Sequence, residues 1–275
     1  MASGHTGNAT KSGGIQRLMK ALIFGSGLSG LFAAWACESK GVDYVVYTDR
    51  VVKPKVKGFV YLHEQCGLPV SSSKLRQIVQ PIEATCDQAS DYYSQMVYAS
   101  PSIPNSMKYI YDNPVVTIWN MSEAVDHIWG VISDRVKLRT MRDLDEVLSI
   151  TTKEADIGFS TIPLTDLDKE GIYYSVESYV TITPDPTASV NFVCYNGGLK
   201  DEKAYRWGSI NGQAFRESRE KPGKSVRKVV FAKYMPRVPD NLHLVGRFGA
   251  WDKSQMAHVV YDKVTRVIDE QRIVG

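Results

Sequence analysis

A chain of 275 residues, 43% hydrophobic and 23% charged, has the balance of a folded protein with one large or two intergrown domains, and this excludes the disordered and collagen-like classes. A formal charge of +3, from 33 Lys and Arg over 30 Asp and Glu, does not announce a nucleic-acid binder, although it leaves room for a local basic patch. Cys37, Cys66, Cys86 and Cys194 form no C-x-x-C pair and no zinc-ligand spacing, so no metal site is expected, and their wide spacing suits a reducing cytoplasm.

Residues 1–18, rich in Gly, Ser, Thr and Asn, read as a flexible leader without the apolar centre of a secretory signal. Lys20 opens a short apolar run, Ala21 to Phe24, that ends in glycines as a buried parallel strand does. Leu28 to Lys40 carries Leu31, Ala34, Trp35 and Glu38 at helical spacing, and Gly41 stops it. Asp43 to Tyr47 reads as a second strand, which closes a β-turn-α-β unit over residues 19–52. From 53 to 150 the α/β rhythm lapses into an inserted helical, substrate-facing region. Here a strand-like Gly58-Phe-Val-Tyr-Leu-His63 precedes predicted helices at Ser72–Gln80 and around Ile82–Tyr98, and Ser122 is expected to cap a third helix. Residues 151–240 begin with a strand returning to the main sheet, Asp156 to Pro163, and continue as a β-rich layer over Tyr173–Tyr195. The last stretch, 241–275, reads as a strand at Asn241–Val245, a turn, and a helix over Ser254–Gln271 with Met256, Val259, Val260, Val264 and Ile268 on one face. No apolar run approaches the roughly eighteen residues that span a bilayer, so a soluble protein without a membrane partner is expected.

Gly25-Ser26-Gly27-Leu28-Ser29-Gly30 is a G-x-G-x-x-G motif in the context that gives it weight, directly after a strand and at the start of a helix. The first glycine permits the tight turn, the second lets a pyrophosphate approach the backbone, and the third allows close helix-strand packing. The phosphate then sits at the positive helix N-terminus. A carboxylate normally ends the second strand and accepts from the adenosine ribose. Thr48 occupies that place here, followed by Asp49 and Arg50. Asp49 takes the ribose role if the strand end shifts by one residue, whereas Arg50 suits a ribose phosphate, so the turn itself leaves both FAD and NADP open.

Two separated segments carry a family resemblance. The stretch from Ala21 to Ala34 resembles the FAD-binding start of the glutathione-reductase-type flavoproteins, which include amine oxidases and UDP-galactopyranose mutase. Asn241-Leu-His-Leu-Val-Gly-Arg-Phe-Gly-Ala-Trp251, with Gln255-Met256, resembles their closing flavin motif in its mutase form, where Gly-Arg replaces the usual Gly-Asp. The resemblance implies an α/β fold with a Rossmann-like FAD-binding domain and an inserted, smaller α+β layer facing the substrate. It further implies FAD as cofactor, Gly246 and Arg247 against the ribityl and diphosphate, and the Met256 helix beginning beneath the isoalloxazine. The early Gly-His-x-Phe-His motif of the mutases is not present, and Gly58 to His63 is a distant echo of it.

On the substrate side, His63 lies close in sequence to the cofactor unit and is a candidate proton donor or acceptor. Tyr205-Arg206-Trp207 sets a cation between aromatics, fit to grip an anion, with Arg216 and Arg219 as further candidates. Trp251 is a candidate active-site wall. His127, on one predicted helix with Trp129, is assigned to packing or surface. The leading functional expectation is an FAD-dependent oxidoreductase acting on a C-N or C-O bond of a small polar substrate, with hydride passing to flavin N5. A second is a mutase- or lyase-like flavoenzyme without net oxidation, either similar to UDP-galactopyranose mutase or acting on amino-acid-modified thymine in DNA; the substrate is expected to be a small molecule or a nucleotide- or base-linked group, and a nucleic-acid partner belongs to the DNA case alone. A third is a Rossmann sensor module that binds NADP and catalyses nothing.

Overall fold

The computed structural model describes residues 19–56, 59–98 and 107–274. Strand β1 (Lys20–Phe24) is buried from Ala21 onward, as expected of a strand covered on both faces. Helix α1 (Leu28–Ser39) follows, then β2 (Asp43–Thr48), which pairs in parallel with β1. The chain then leaves this sheet through β3 (Tyr61–Leu62), β4 (Ser72–Gln80), α2 (Cys86–Tyr98), α3 (Lys108–Asp112) and β5 (Val115–Asn120). Helix α4 (Met121–Ile132) and β6 (Val136–Leu138) bring it back. Next come α5 (Leu144–Glu154), β7 (Ile157–Ser160) and α6 (Leu164–Leu167). A second excursion follows: β8 (Tyr173–Pro184), β9 (Asn191–Asn196), β10 (Ala204–Ile210), β11 (Gln213–Ser218) and β12 (Lys224–Ala232). Strand β13 (Leu242–Leu244) and helix α7 (Ala257–Val274) close the chain.

The first sheet is five-stranded and all parallel, in the order β13-β7-β1-β2-β6. Numbered by entry into the sheet this is 5-4-1-2-3, the doubly wound order, in which ligands lie beyond the carboxyl ends of the strands beside the first one. Leu31 and Phe32 of α1, Val125 and Ile128 of α4, and Val260 and Val264 of α7 cover one face, over Ile23, Val46 and Phe159. Val147 and Ile150 of α5 cover the other, over Leu22 and Phe24. Each such side chain, fully buried, contributes roughly 1.5–3 kcal/mol, so the carboxyl edge of this sheet is a rigid platform.

The second sheet has eight strands in the order β12-β8-β11-β10-β9-β4-β5-β3, assembled from both excursions and antiparallel except where β4 runs along β9. Its own core gathers Leu75, Tyr93, Tyr195, Tyr205 and Phe215 beneath α2 and α3. The architecture is mixed α/β, with a second, largely antiparallel sheet beside the parallel one.

Three local expectations are corrected. Ser72–Gln80 is strand β4, not a helix: Leu75, Gln77 and Val79 are buried alternately, a period of two that suits its place between β5 and β9. Helix α4 is capped by Asn120, whose Oδ1 accepts from the Ser122 and Glu123 amides at 3.0 and 3.3 Å, so Ser122 lies inside the first turn. The third parallel strand, β6, arises within the stretch read as inserted, three residues long and two of them exposed, too short to announce itself. The helix expected around Ile82–Tyr98 forms from Cys86, and the strands expected at Asp156–Pro163 and Asn241–Val245 form within those bounds. Gly58 lies outside the described residues. Among the described residues, no helix is long and apolar enough to cross a membrane.

Candidate dinucleotide site and substrate cleft

Gly25, Ser26 and Gly27 form the turn from β1 into α1 and hold the carboxyl edge together. The Gly25 amide donates to the Tyr47 carbonyl of β2 at 2.7 Å, and Thr161 Oγ1, just past β7, donates to the Phe24 carbonyl at 2.9 Å. A Cβ on Gly30 would lie 1.9 Å from the Gly25 carbonyl oxygen, so only a glycine lets α1 seat this tightly on the turn. Gly27 is the N-terminal boundary residue of α1, is exposed, and a Cβ there would meet nothing within 4 Å. No side chain caps the helix and its first turn holds no acidic residue. Beyond Leu28 and Ser29 the helix therefore presents orphan amides and its positive end to open space, the arrangement that receives a pyrophosphate.

The end of β2 meets this turn. Ser26 and Thr48, both buried, share a hydrogen bond of 2.8 Å between their hydroxyls. Thr48 also receives the Arg50 amide at 3.4 Å. Asp49 and Arg50 stand outside on the same rim, exposed and 3.7 Å apart. Past β13, Gly246 adopts φ +80°, and a Cβ there would lie 2.4 Å from Ser29 Oγ, so the two ends of the chain touch across the helix start. Gln255 Oε1 accepts from the Gly246 amide at 2.9 Å, and Met256 supplies the carbonyl that receives the Val260 amide at the head of α7. Arg247 is half-buried and makes no hydrogen bond or ion pair with any described residue. Burial lowers its pKa, Tyr98 opposes that shift, and Arg206 adds to it. The uncapped helix, the open position at Gly27 and the unpaired guanidinium together fit a flavin adenine dinucleotide.

Across the gap from this edge, the second sheet supplies side chains. His63 follows β3, its ring 4.9 Å from that of Tyr61 and 5.4 Å from that of His258, the second residue of α7. Burial first, then His258, Arg206 and Arg247, pull the His63 pKa down to about 4 and leave the imidazole neutral at pH 7. Arg206 Nε donates to Glu217 Oε2 at 2.7 Å, and Lys228 Nζ reaches Glu217 Oε1 at 3.2 Å. Glu217 is 2% exposed. Burial opposes its charge, but Arg206 and Lys228 outweigh that and hold its pKa below the usual carboxylate value. Burial also lowers Lys228 to about 8, with Glu217 resisting. Burial opposes the charge on Arg206, and Glu217 outweighs it and holds the guanidinium charged.

His63 thus meets His258 at the head of α7 and feels the charges of Arg206 and Arg247, while Gly25 to Gly30 form the turn at the carboxyl edge of the parallel sheet, where Gly246 lies against Ser29 and is bonded to Gln255 beside Met256. Arg206 lies over the Phe215 ring at 5.6 Å, not between Tyr205 and Trp207, since side chains adjacent along a strand do not flank one another. Arg216 is exposed and paired with Glu202, away from the cleft. Trp251 is not a wall of the site. It is 4% exposed, packs in a separate core with Leu164, Val229 and Leu244, and donates its indole N–H to the Tyr174 and Phe231 carbonyls at 3.2 and 3.1 Å. His127 packs edge-on against Trp35. Glu217, Lys228 and His258 escaped the sequence reading, yet one signal was there. The two-residue turn Asn211-Gly212, both at positive φ, pairs Ile210 with Gln213, and counting back from it sets Arg206 opposite Glu217.

No protein-family model matches the chain, and no curated protein matches it in sequence. Solved structures do. A reduced UDP-galactopyranose mutase is 12% identical, aligned over 94% of this chain and 96% of its own, with a TM-score of 0.55. A flavoprotein/dehydrogenase from Cytophaga hutchinsonii is 9% identical over 93% and 79%, at 0.51. The chain has the fold of the FAD-dependent flavoproteins. An oxidoreductase from Methanosarcina mazei adds 12% identity over 91% of this chain and 100% of its own, at 0.54. At these identities the likeness is one of fold, and flavoproteins on this fold run unlike chemistries.

Proposed function

We propose that this flavoprotein fold binds FAD and works as an oxidoreductase on a C-N or C-O bond of a small polar substrate. The observation that carries the reading is the open, uncapped helix start at Gly27, joined through Ser29 to Gly246, with the His63 ring 5.4 Å from that of His258 on α7, the helix that follows the Gly246 turn. Bound flavin supplies the hydride acceptor. The chain's residues do the rest: the head of α1 holds the diphosphate, Arg247 neutralises charge along the cofactor, and His63 takes the proton that leaves an amine or alcohol as its carbon is oxidised. At pH 7 the imidazole is neutral and offers a lone pair to that proton, and its lowered pKa makes it give the proton up again readily. FAD is preferred to NADP because the likeness in fold is to FAD enzymes and because Arg50, the candidate for a 2′-phosphate, is turned to Asp49 on the rim.

The test is extraction and mass identification of the bound cofactor, followed by anaerobic mixing with candidate amines and alcohols. A yellow protein that bleaches supports the proposal; turnover without bleaching favours a mutase- or lyase-like reaction, and a colourless protein stabilised only by NADP removes FAD. Gly27→Asp places a carboxylate in the open position and abolishes flavin content while leaving the fold intact, since no protein atom stands within 4 Å. Normal flavin in that variant would overturn the site.

A further inference from the structure

The positive charge of this chain is gathered in one place. Residues 221–239 hold six lysines and arginines and no carboxylate, whereas the rest of the sequence is net negative. The run begins just before β12, follows that strand and continues into the loop beyond it. Lys228 turns inward to Glu217. Lys221, Lys224, Arg227, Lys233 and Arg237 are exposed, and none of them forms an ion pair with a described residue. The carboxylates beside them are already engaged: Glu220 with Lys203 at 3.6 Å, and Glu177, opposite Arg227, with the Tyr179 hydroxyl at 3.2 Å.

Strand β12 is an edge of the eight-stranded sheet and pairs only with β8, so its other side is open. Cations and a bulge ordinarily guard such an edge against strand addition, and β12 carries both, the bulge falling between Val229 and Phe231. That role does not account for the apolar side chains at the same edge. Ile172, Tyr174, Phe231, Tyr234 and Met235 are between 42% and 65% exposed, and a clustered apolar surface of this kind marks a binding face. The rings of Tyr174 and Phe231 stack at 4.4 Å, and Trp251 fixes both residues by donating to their carbonyls. Lys233 lies over the Tyr234 ring at 5.4 Å. A nine-residue strand spans about 30 Å, and a row of cations of that length ending in fixed aromatic rings matches a linear polyanion that carries planar groups.

We propose that the open edge of β12 binds single-stranded nucleic acid, with phosphates along Lys221, Lys224, Arg227, Lys233 and Arg237 and bases on Phe231 and Tyr234. Exposed aromatic faces take unpaired bases, whereas a duplex keeps its base faces stacked inside. Phosphates and base faces are common to DNA and RNA, so the strip takes either and reads no sequence. A second copy of the chain does not fit, because two β12 edges would set like charges against each other. The bulge interrupts the ladder that an added peptide strand needs. An anionic bilayer would feel only the cations within a Debye length, roughly 10 Å, of the apolar end and leave the far end of the row unused. The strip belongs to the second sheet, and the inference is independent of the cofactor reading.

The experiment is fluorescence anisotropy of labelled oligodeoxythymidine and oligouridine with the purified protein over a salt series, with duplex DNA, polyglutamate and phosphatidylserine vesicles as competitors. Both strands are expected to bind, and log K is expected to fall against log salt with a slope of up to about −3.5, each phosphate contact on a single strand contributing about −0.7. Lys224→Ala together with Arg227→Ala lessens that slope by about 1.4. Tyr234→Ala and Phe231→Ala each lower affinity by ~10-fold, the scale of one stacked base; Tyr234 is 65% exposed, so its variant carries the test if Phe231→Ala does not fold. Gly27→Asp leaves this binding unaltered, which tells loss of the flavin site from loss of the strip. Failure of either strand to bind, an unchanged affinity in Tyr234→Ala, or competition by duplex, polyglutamate or vesicles as effective as that of the unlabelled single strand would overturn the proposal.

Discussion

On the parallel-sheet side of the cleft, recognition is written in backbone: the uncapped amides at the head of α1, the open position at Gly27, and the Gly246 turn tied to Gln255. On the facing side it is written in side chains drawn from separate strands and helices, His63 after β3, Tyr195 on β9, Arg206 on β10, Glu217 on β11, Lys228 on β12 and His258 on α7. The first arrangement needs a few glycines at fixed spacing and little else. The second needs an eight-stranded register to be right before any of its charges meet. A backbone site of this kind tolerates wide divergence in sequence, while a side-chain site is free to change its chemistry.

The largest expected effect breaks the first side. Gly30→Ala drives a methyl group to 1.9 Å from the Gly25 carbonyl oxygen and 2.8 Å from its carbon, both backbone atoms that cannot step aside. The head of α1 must lift from the turn, and the expected result is loss of flavin together with a large fall in melting temperature, read by absorbance and by a thermal melt. Gly27→Asp loses the flavin and keeps the melting temperature of the flavin-free parent. The contrast between neighbouring glycines separates a packing role from a ligand role, and a Gly30→Ala protein with normal flavin and stability would erase it.

His63→Gln probes the second side. As the proton acceptor His63 is expected to contribute about 10²- to 10⁴-fold to turnover, with flavin content unchanged in the variant. Burial, then His258, Arg206 and Arg247, lower its pKa from 6.5 to about 4 in the folded protein. The acid limb of kcat/KM in the parent should therefore fall near pH 4, with a plateau through neutrality. Stability carries the same sign. Between about pH 6.5 and 4 the unfolded chain binds a proton that the folded chain refuses, so stability is full above 6.5 and declines as the pH drops toward 4. His63→Gln flattens this part of the slope, read from denaturant melts at stepped pH; an unchanged slope would mean that His63 titrates as an ordinary surface histidine.

A smaller effect marks the hinge between the two sides. Trp251→Phe keeps an aromatic ring beside Tyr173 but removes the N–H shared by the Tyr174 and Phe231 carbonyls of β8 and β12. The expected cost is about 1–3 kcal/mol of stability, with flavin content and substrate affinity unaltered. A loss of activity without a loss of stability would return Trp251 to the active site.

The sequence disclosed these regions unequally, for physical reasons. Gly25, Gly27, Gly30 and the strands flanking them are local: a four-residue apolar run, a tight turn and a helix declare themselves within about thirty residues. Arg247 and Gln255 were visible only by likeness to a family motif, since a lone arginine after a strand has no intrinsic meaning. His63 and Arg206 were named as residue types, but nothing local says that they face each other. Ser72–Gln80 misread as a helix because it is polar and free of Gly and Pro, and what makes it a strand is pairing with β5 and β9, remote in sequence. Lys228 lies among Lys224, Arg227 and Lys233 and looks like part of a solvated basic edge; only the fold turns it inward to Glu217.

The rim residues Asp49 and Arg50 give the smallest expected effect and decide the least settled part of the comparison, whether a side chain matters at all on the backbone side. Thr48 stands where a carboxylate would usually end β2, and its hydroxyl is already committed to Ser26 and to the Arg50 amide. It has little left to offer a ribose. Asp49 follows it in sequence, exposed and only loosely engaged with Arg50 at 3.7 Å, so under the proposed function it is the carboxylate on offer to a ribose. Asp49→Asn is expected to weaken FAD retention by less than ~10-fold, the scale of one exposed hydrogen bond, measured by flavin release on dilution. Arg50→Ala should leave FAD retention unchanged, because a guanidinium on the rim has no phosphate to meet when the ribose is unphosphorylated. If Arg50→Ala costs more than Asp49→Asn, the rim is reading a phosphate, and the cradle belongs to NADP.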